Sequence, residues 1–503
     1  VEGLLHGFAS VLTPMNLSFA FIGCFLGTIV GVLPGIGPIG AMALLLGATY
    51  SLPVDTALIM FAGIYYGSMY GGSTTSILLK IPGESSSVVT VIDGHQMALK
   101  GRGGAALAIA AVGSFVAGTI GLVLLSLLAP HLAGAAVKFG PAEYFAIAVF
   151  GLVMLAQLSE QGLIKSMMMV GLGLLIGTIG IDQMSGYSRF TFGLIQLQSG
   201  MDFVALAMGL YGIAEMLHLA EQKITQTAEV KKVKMKDLLP TRTEAKRSVG
   251  PTLRASVLGF FVGLIPGPAA VISTFSSYIL EKKLSKHPEE FGKGAPEGVA
   301  GPESANNAAA VGAFVPLLSL GIPFAPGTVL LLAAMLVHDV VPGPLLIRDN
   351  PDIFWGVIAS MYIGNCILLI LNLPLINLLT RLLRVPANLL MPIIIVLCIV
   401  GAFAVNNSVT EIIVMIVAGV AGYIFNKLDF PIAPLLLALV LGPMLESSFI
   451  GALMISHGSL AIFVTRPLSG TIFAITGLVI ILPLIMKCIK KFNKGRKEAK
   501  ITS

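Results

Sequence analysis

Gly27-Thr-Ile-Val-Gly31-Val-Leu-Pro34-Gly35 in the first half of the chain is answered in the second by Gly259-Phe-Phe-Val-Gly263-Leu-Ile-Pro266-Gly267. A second pair of landmarks follows. Tyr70-Gly71-Gly72-Ser73-Thr74-Thr75-Ser76 runs on to Ile81-Pro82-Gly83, and Asn306-Asn307 runs on through small residues to Gly321-Ile322-Pro323. The offset between the halves is 232 residues at the first landmark and 241 at the second, a difference that the polar insert at 281–301 absorbs. Proline removes an amide and clashes with the preceding turn, while glycine lets the backbone bend. A helix interrupted inside an apolar run leaves carbonyls and amides that lipid cannot satisfy, so they must line a cavity or contact protein. One such break reads as ordinary membrane-helix punctuation. Breaks at matched positions of two halves point to the binding site of a transporter.

The surrounding composition agrees. Of 503 residues, 56% are hydrophobic and 11% charged, against about 25% charged in a soluble domain. Stretches 103–137, 353–380 and 385–410 carry no Asp, Glu, Lys or Arg, and a crossing helix needs about 20 apolar residues. The expected fold is an all-α polytopic membrane protein with about ten to twelve membrane segments. These fall in two internally repeated halves, inverted relative to each other, with broken or re-entrant helices. The boundaries are 1–220 for the N-terminal repeat, 221–253 for a basic linker, 254–486 for the C-terminal repeat and 487–503 for a basic tail.

The net charge of +6 is concentrated: residues 221–254 hold nine Lys/Arg against four acids, and 487–503 hold seven against one. Positive segments beside spans stay in the cytoplasm, which places the central loop and the C-terminus inside. Because they flank apolar spans, a nucleic-acid partner is not expected. The run 255–280 has charged residues at both ends and Pro266-Gly267-Pro268 near its middle. It is expected to enter and return as a hairpin, with a single broken span as the alternative, and 19–46 is its counterpart. Four scattered cysteines read as apolar filler. There is no phosphate loop, no zinc-protease motif and no nucleophile elbow, so no enzyme activity is expected.

On these residues the sequence resembles the large membrane subunit of the tripartite tricarboxylate transporters, the TctA family. The resemblance rests on Gly31 to Gly35, on Tyr70 to Ser76 continuing to Ile81-Pro-Gly-Glu84, and on Asp93-Gly94. It extends through Pro302-Glu303-Ser304-Ala305-Asn306-Asn307-Ala308, Gly312 to Pro316 and Leu320 to Pro323. Two positions depart from the family's usual wording: Lys80, where Asn is common, and Ser304, where Ala is common. The resemblance implies secondary active uptake of a small di- or tricarboxylate across a bacterial inner membrane, coupled to Na+ or H+ and without a cofactor. Its implied partners are a periplasmic solute-binding protein and a small membrane subunit. The alternative is a stand-alone secondary transporter of another small solute.

A carboxylate surrounded by lipid needs donors in place of water, and amides at broken-helix N-termini supply them. Gly35, Gly37, Gly72, Gly83, Gly267 and Gly321 are the expected cradle. Ser73, Thr74, Thr75, Ser76, Asn306 and Asn307 are the expected side-chain contacts, the hydroxyl run lying at a break. The plainer reading is that small and polar residues simply let helices pack. Intramembrane carboxylates are costly and often functional, which makes Glu303, with Asn306 and Asn307, the expected cation-coupling group. No metal beyond a transported Na+ is expected. Glu84, Asp93, His95 and Arg102 are expected in a solvated loop.

Overall fold

In the computed structural model the described apolar runs become helices, since only helix satisfies the backbone within one segment in lipid. The structure describes residues 2–32, 37–49, 51–80, 82–157, 159, 161–182, 185–221, 238–373, 392, 395–396, 398–403 and 407–481. Pro34 and Gly35, most of the basic linker (222–237) and the 487–503 tail lie outside the described residues. The helices are α1 (Glu2–Val11), α2 (Pro14–Val32), α3 (Gly37–Thr49), α4 (Val54–Leu79), α5 (Val88–Leu99), α6 (Gly103–Ala136), α7 (Pro141–Gln157) and α8 (Leu163–Gly177). There follow α9 (Phe203–Ala207), α10 (Ala214–Glu221), α11 (Arg242–Gly263), α12 (Ala269–Leu284) and α13 (Glu297–Gly312). Next come α14 (Phe314–Leu320), α15 (Pro326–Val337), α16 (Leu346–Asp349), α17 (Pro351–Asn372), α18 (Val409–Lys427) and α19 (Ile432–Ile455), followed by α20 (Ile462–Thr465) and α21 (Pro467–Ile481). Strand is confined, among the described residues, to the two-residue antiparallel pair Gly180–Ile181 and Ser188–Arg189. The protein is an all-α polytopic membrane protein. Five described helices (α2, α6, α17, α18 and α19) are long and apolar enough to cross a bilayer, and five shorter apolar helices accompany them.

Two compact units form. One comprises Val1–Val137 with Met201–Leu428, the other Lys138–Gly200 with Asp429–Ser503. The second unit packs α7 and α8 on α19, with a ring cluster of Phe145, Phe449, Phe463 and Phe473. Three of its acids are paired: Glu143 with Arg466 at 2.8 Å, and Glu446 and Asp182 with Arg189 at 2.8 and 2.6 Å.

The first unit contains the repeat. On α2, Gly23, Gly27 and Gly31 face the carbonyls of Met60, Ile64 and Ser68 on α4, and a Cβ at any of them would collide with that oxygen. On α11, Gly259 and Gly263 meet the carbonyls of Ala305 and Ala309 on α13 in the same manner. Small residues at a four-residue step let two backbones close on each other. Gly27 and Gly259 stand 232 apart and their partners Ile64 and Ala305 stand 241 apart, the same two offsets that separate the sequence landmarks.

α11 and α12 form the expected hairpin. Arg254 on the inbound helix holds Glu281 on the outbound one by two hydrogen bonds, at 3.0 and 2.5 Å, and Glu281 is buried. α11 itself starts on a capping box: Thr241 Oγ1 accepts from the Glu244 amide at 3.2 Å and Glu244 accepts from the Thr241 amide at 2.7 Å. Glu244 also pairs with Arg102 at 2.5 Å, fastening the start of α6 to the start of α11.

One expectation is corrected. Ser73–Ser76 do not lie at a break; α4 runs unbroken from Val54 to Leu79, and Asn306 and Asn307 likewise sit inside continuous α13. Small and hydroxyl residues are compatible with helix, since Ser and Thr return their hydroxyls to carbonyls of the preceding turn. Thr75 and Ser76 do so onto Gly72 O at 3.2 and 2.9 Å. The chain breaks one turn later, and there the two halves match again. Lys80 closes α4 at φ 62° and Gly321 closes α14 at φ 74°, both left-handed and both followed by Ile-Pro. Asn, the residue expected at position 80, would tolerate that conformation far better than Lys does. Lys80 is exposed.

Candidate transport site

α4 and α13 are the buried axis of the first unit: every residue of α4 from Thr56 to Ile77 and every residue of α13 is buried. A polar helix in an apolar protein must pair its polar groups internally, and most of these are paired. Glu303 on α13 accepts short hydrogen bonds from Ser73 on α4 and Thr90 on α5. Asn307 donates to Ser114 on α6 at 2.6 Å and to the Glu303 carbonyl at 3.1 Å. Asn306 donates to the Glu84 carboxylate at 3.0 Å. Ser76 bridges to Ser87 at 2.9 Å. Three buried atoms of α13, Oδ1 of Asn306, Oδ1 of Asn307 and Oγ of Ser304, take no hydrogen bond. Oxygens of this kind suit a hard cation.

The breaks converge beside this axis. In the second half the Gly267 amide donates to the Phe324 carbonyl at 2.9 Å, tying the 264–268 bend to the loop after Gly321. Gly267 has φ 126°, open to glycine alone. In the first half Gly83 packs on the Gly31 carbonyl and the Cα of Gly72, with no room for a side chain. Between them opens a cavity of about 380 Å³, within the ~300–1,000 Å³ usual for small-molecule sites. Gly83 and Glu84 line it from the first half; Gly267, Pro268 and the first turn of α12, and Ala325, Pro326 and Gly327 at the start of α15, line it from the second. Ile39 and Gly40, in the first turn of α3, line it too, together with Tyr65, Tyr211 and Glu215.

The expected site residues thus divide. Gly83 and Gly267 reach the cavity directly, and Gly37 opens α3 two residues before the lining residue Ile39. Gly72, Ser73, Thr75, Ser76, Asn306, Asn307 and Glu303 form the packed polar layer behind it. Thr74 lies in that layer too, in a narrow crevice with Ser114 and Asn372. Gly321 is the left-handed cap, pressed on the Pro342 carbonyl. Gly35 lies outside the described residues.

Sequence reasoning missed the role of the loop after α4. Glu84 faces the cavity; its position immediately after Ile81-Pro82-Gly83 was the available signal. Asp93 is fully buried, not solvated. Its Oδ1 accepts from the amides of Gly292, Gly294 and Ala295 at 2.9, 2.7 and 2.9 Å, and its Oδ2 from Tyr278 at 2.8 Å. It therefore pins the polar insert to the middle of α5. His95 lies 3.1 Å from the Ile77 carbonyl, and Arg102 is the partner of Glu244.

The sequence pattern of the tripartite tricarboxylate transporter TctA family matches residues 17–437, a region that contains the α11–α12 hairpin and the whole cavity. The chain belongs to this family. The TctA chain is 46% identical over 494 residues, 98% of each chain, to an uncharacterized 52.8 kDa protein in the TAR-I ttuC' 3' region of Agrobacterium vitis. It is also 45% identical over 227 residues to an uncharacterized protein in the TAR-II ttuC' 3' region of the same organism, covering 45% of this chain and 94% of that one. No solved structure matches it. As a TctA member it is a membrane component of a tripartite transport system. The stretches that carry the resemblance to this family in the sequence lie around the described breaks and in the α4–α13 layer beside the cavity.

Proposed function

We propose that this chain is the translocating subunit of a secondary active carrier that takes up a small di- or tricarboxylate across a bacterial inner membrane. Uptake is driven by Na+ or H+. A periplasmic binding protein delivers the substrate, a small membrane subunit completes the system, and the 221–253 loop and the C-terminus face the cytoplasm. The observation that supports this is one cavity lined by the described breaks of both halves. The first turns of α12 and α15 meet there, and helix N-termini present unpaired amides and a positive dipole end to an anion. The cluster of Glu303, Asn306 and Asn307 behind the cavity is the candidate ground for the coupling ion.

Reconstituted vesicles test the reading. Labelled di- and tricarboxylates should accumulate under an imposed sodium or proton gradient only when the binding protein is present. Accumulation by this chain alone would favour the stand-alone carrier, and equilibration without accumulation would make it a pore. Ala270→Trp, which fills the cavity from the first turn of α12, should abolish uptake while leaving membrane insertion unchanged.

A further inference from the structure

The cavity has an unexpected charge balance for a site that takes anions. Its described lining includes two carboxylates, Glu84 and Glu215, and no Lys, Arg or His. Two fixed negative charges in a low-dielectric pocket would oppose a substrate carrying two or three more. The helix N-termini supply about half a positive charge each, too little to offset both. One carboxylate must be neutral when the substrate is in place.

We infer that Glu84 is that group: it takes a proton as the carboxylate enters and releases it on the other side, so substrate and proton travel together. This rests on the cavity being the carboxylate site. Glu84 stands at the break itself, after Gly83, and is the cavity acid held by the transport axis, through the 3.0 Å bond from Asn306 on α13. Its other neighbours are Gly72 on α4 and Ser87 in its own turn. The titratable groups facing it are Glu303 on α13, already engaged by Ser73 and Thr90, Tyr65 on α4, and Tyr211 and Glu215 across the cavity. The first turn of α12 presents no charge. With only acids and phenols near it, a proton is the simplest neutraliser. The balance is direct: an O–H bond forms on the Glu84 carboxylate outside, breaks inside, and one positive charge enters with each substrate.

Proton-driven accumulation and counterflow exchange of a labelled carboxylate panel, citrate and succinate included, measured over a pH series with the full system, test this. Wild-type exchange should fall about tenfold per pH unit once Glu84 ionises. Glu84→Gln should keep exchange, lose proton-driven accumulation and flatten the pH profile, while Glu215→Gln should keep the profile. If Glu84→Gln inserts poorly, Asn306→Ala reads the same point: removing the donor to the ionised carboxylate should move the midpoint to higher pH. The assignment is overturned by a wild-type pH profile in Glu84→Gln, by a flat profile in Glu215→Gln, by an unmoved midpoint in Asn306→Ala, or by sodium-driven uptake indifferent to pH. A wild-type chain that moves no member of the panel overturns the carboxylate reading itself, and this assignment with it.

Discussion

The pair α2–α4 and the pair α11–α13 have the same backbone arrangement and opposite polar content. Both close through glycines set four apart against facing carbonyls, and each leads on to a left-handed residue before Ile-Pro. Yet α4 presents hydroxyls, Ser73 to Ser76, whereas α13 presents Glu303, Asn306 and Asn307. Ser73 of one helix, joined by Thr90 of α5, satisfies the acid of the other. The repeat therefore supplies shape twice, and its divergence supplies a donor side and an acceptor side that meet once. Glycine spacing is under steric control and tolerates no change; the polar faces are free to differ provided they complement each other.

The largest expected effect tests the shared part. Gly27→Leu and Gly259→Leu should each destabilise the protein by about 3 kcal/mol or more, because a backbone carbonyl cannot move aside as a side chain can. Similar falls in thermal midpoint of the purified protein are expected for both, and a tolerant site in either half would break the equivalence. Next comes the complementary part. Glu303→Leu leaves the Ser73 and Thr90 hydroxyls buried without an acceptor, a loss of about 2–3 kcal/mol. Ser73→Ala should restore part of it in the double variant, read by the same melting assay.

Arg254→Ala should cost about 1.5–2 kcal/mol, less than a fully buried pair because the arginine is partly exposed. Its diagnostic is protease sensitivity in the 281–301 insert. The smallest effect distinguishes the caps: Lys80→Gly should stabilise by about 1 kcal/mol by relieving the left-handed backbone. Unchanged uptake kinetics in that variant would confirm that Lys80 serves the turn and not the substrate charge.

The membrane class, the two offsets of the repeat, the 255–280 hairpin and the breaks before Pro82, at 264–268 and before Pro323 were legible in the residues, although the hydroxyl run 73–76 is not itself at a break. Each is set by local chemistry: apolar runs of spanning length, Pro and Gly that cannot continue a helix, and small residues at one helical step. Glu303 stood out for the same reason, as a carboxylate in an apolar setting. What the linear order could not decide was which polar residues reach the cavity. Ser73–Ser76, Asn306 and Asn307 looked like direct contacts but turned out to be the layer behind, while Glu84 and Asp93 looked solvated and are enclosed. Facing is settled by how α4, α5, α12 and α13 pack. Hydrogen bonds spanning some two hundred residues, such as Asn306 to Glu84 and Ser73 to Glu303, exist only once that packing is complete. A break in the chain is a local event. A cavity is a property of its neighbours.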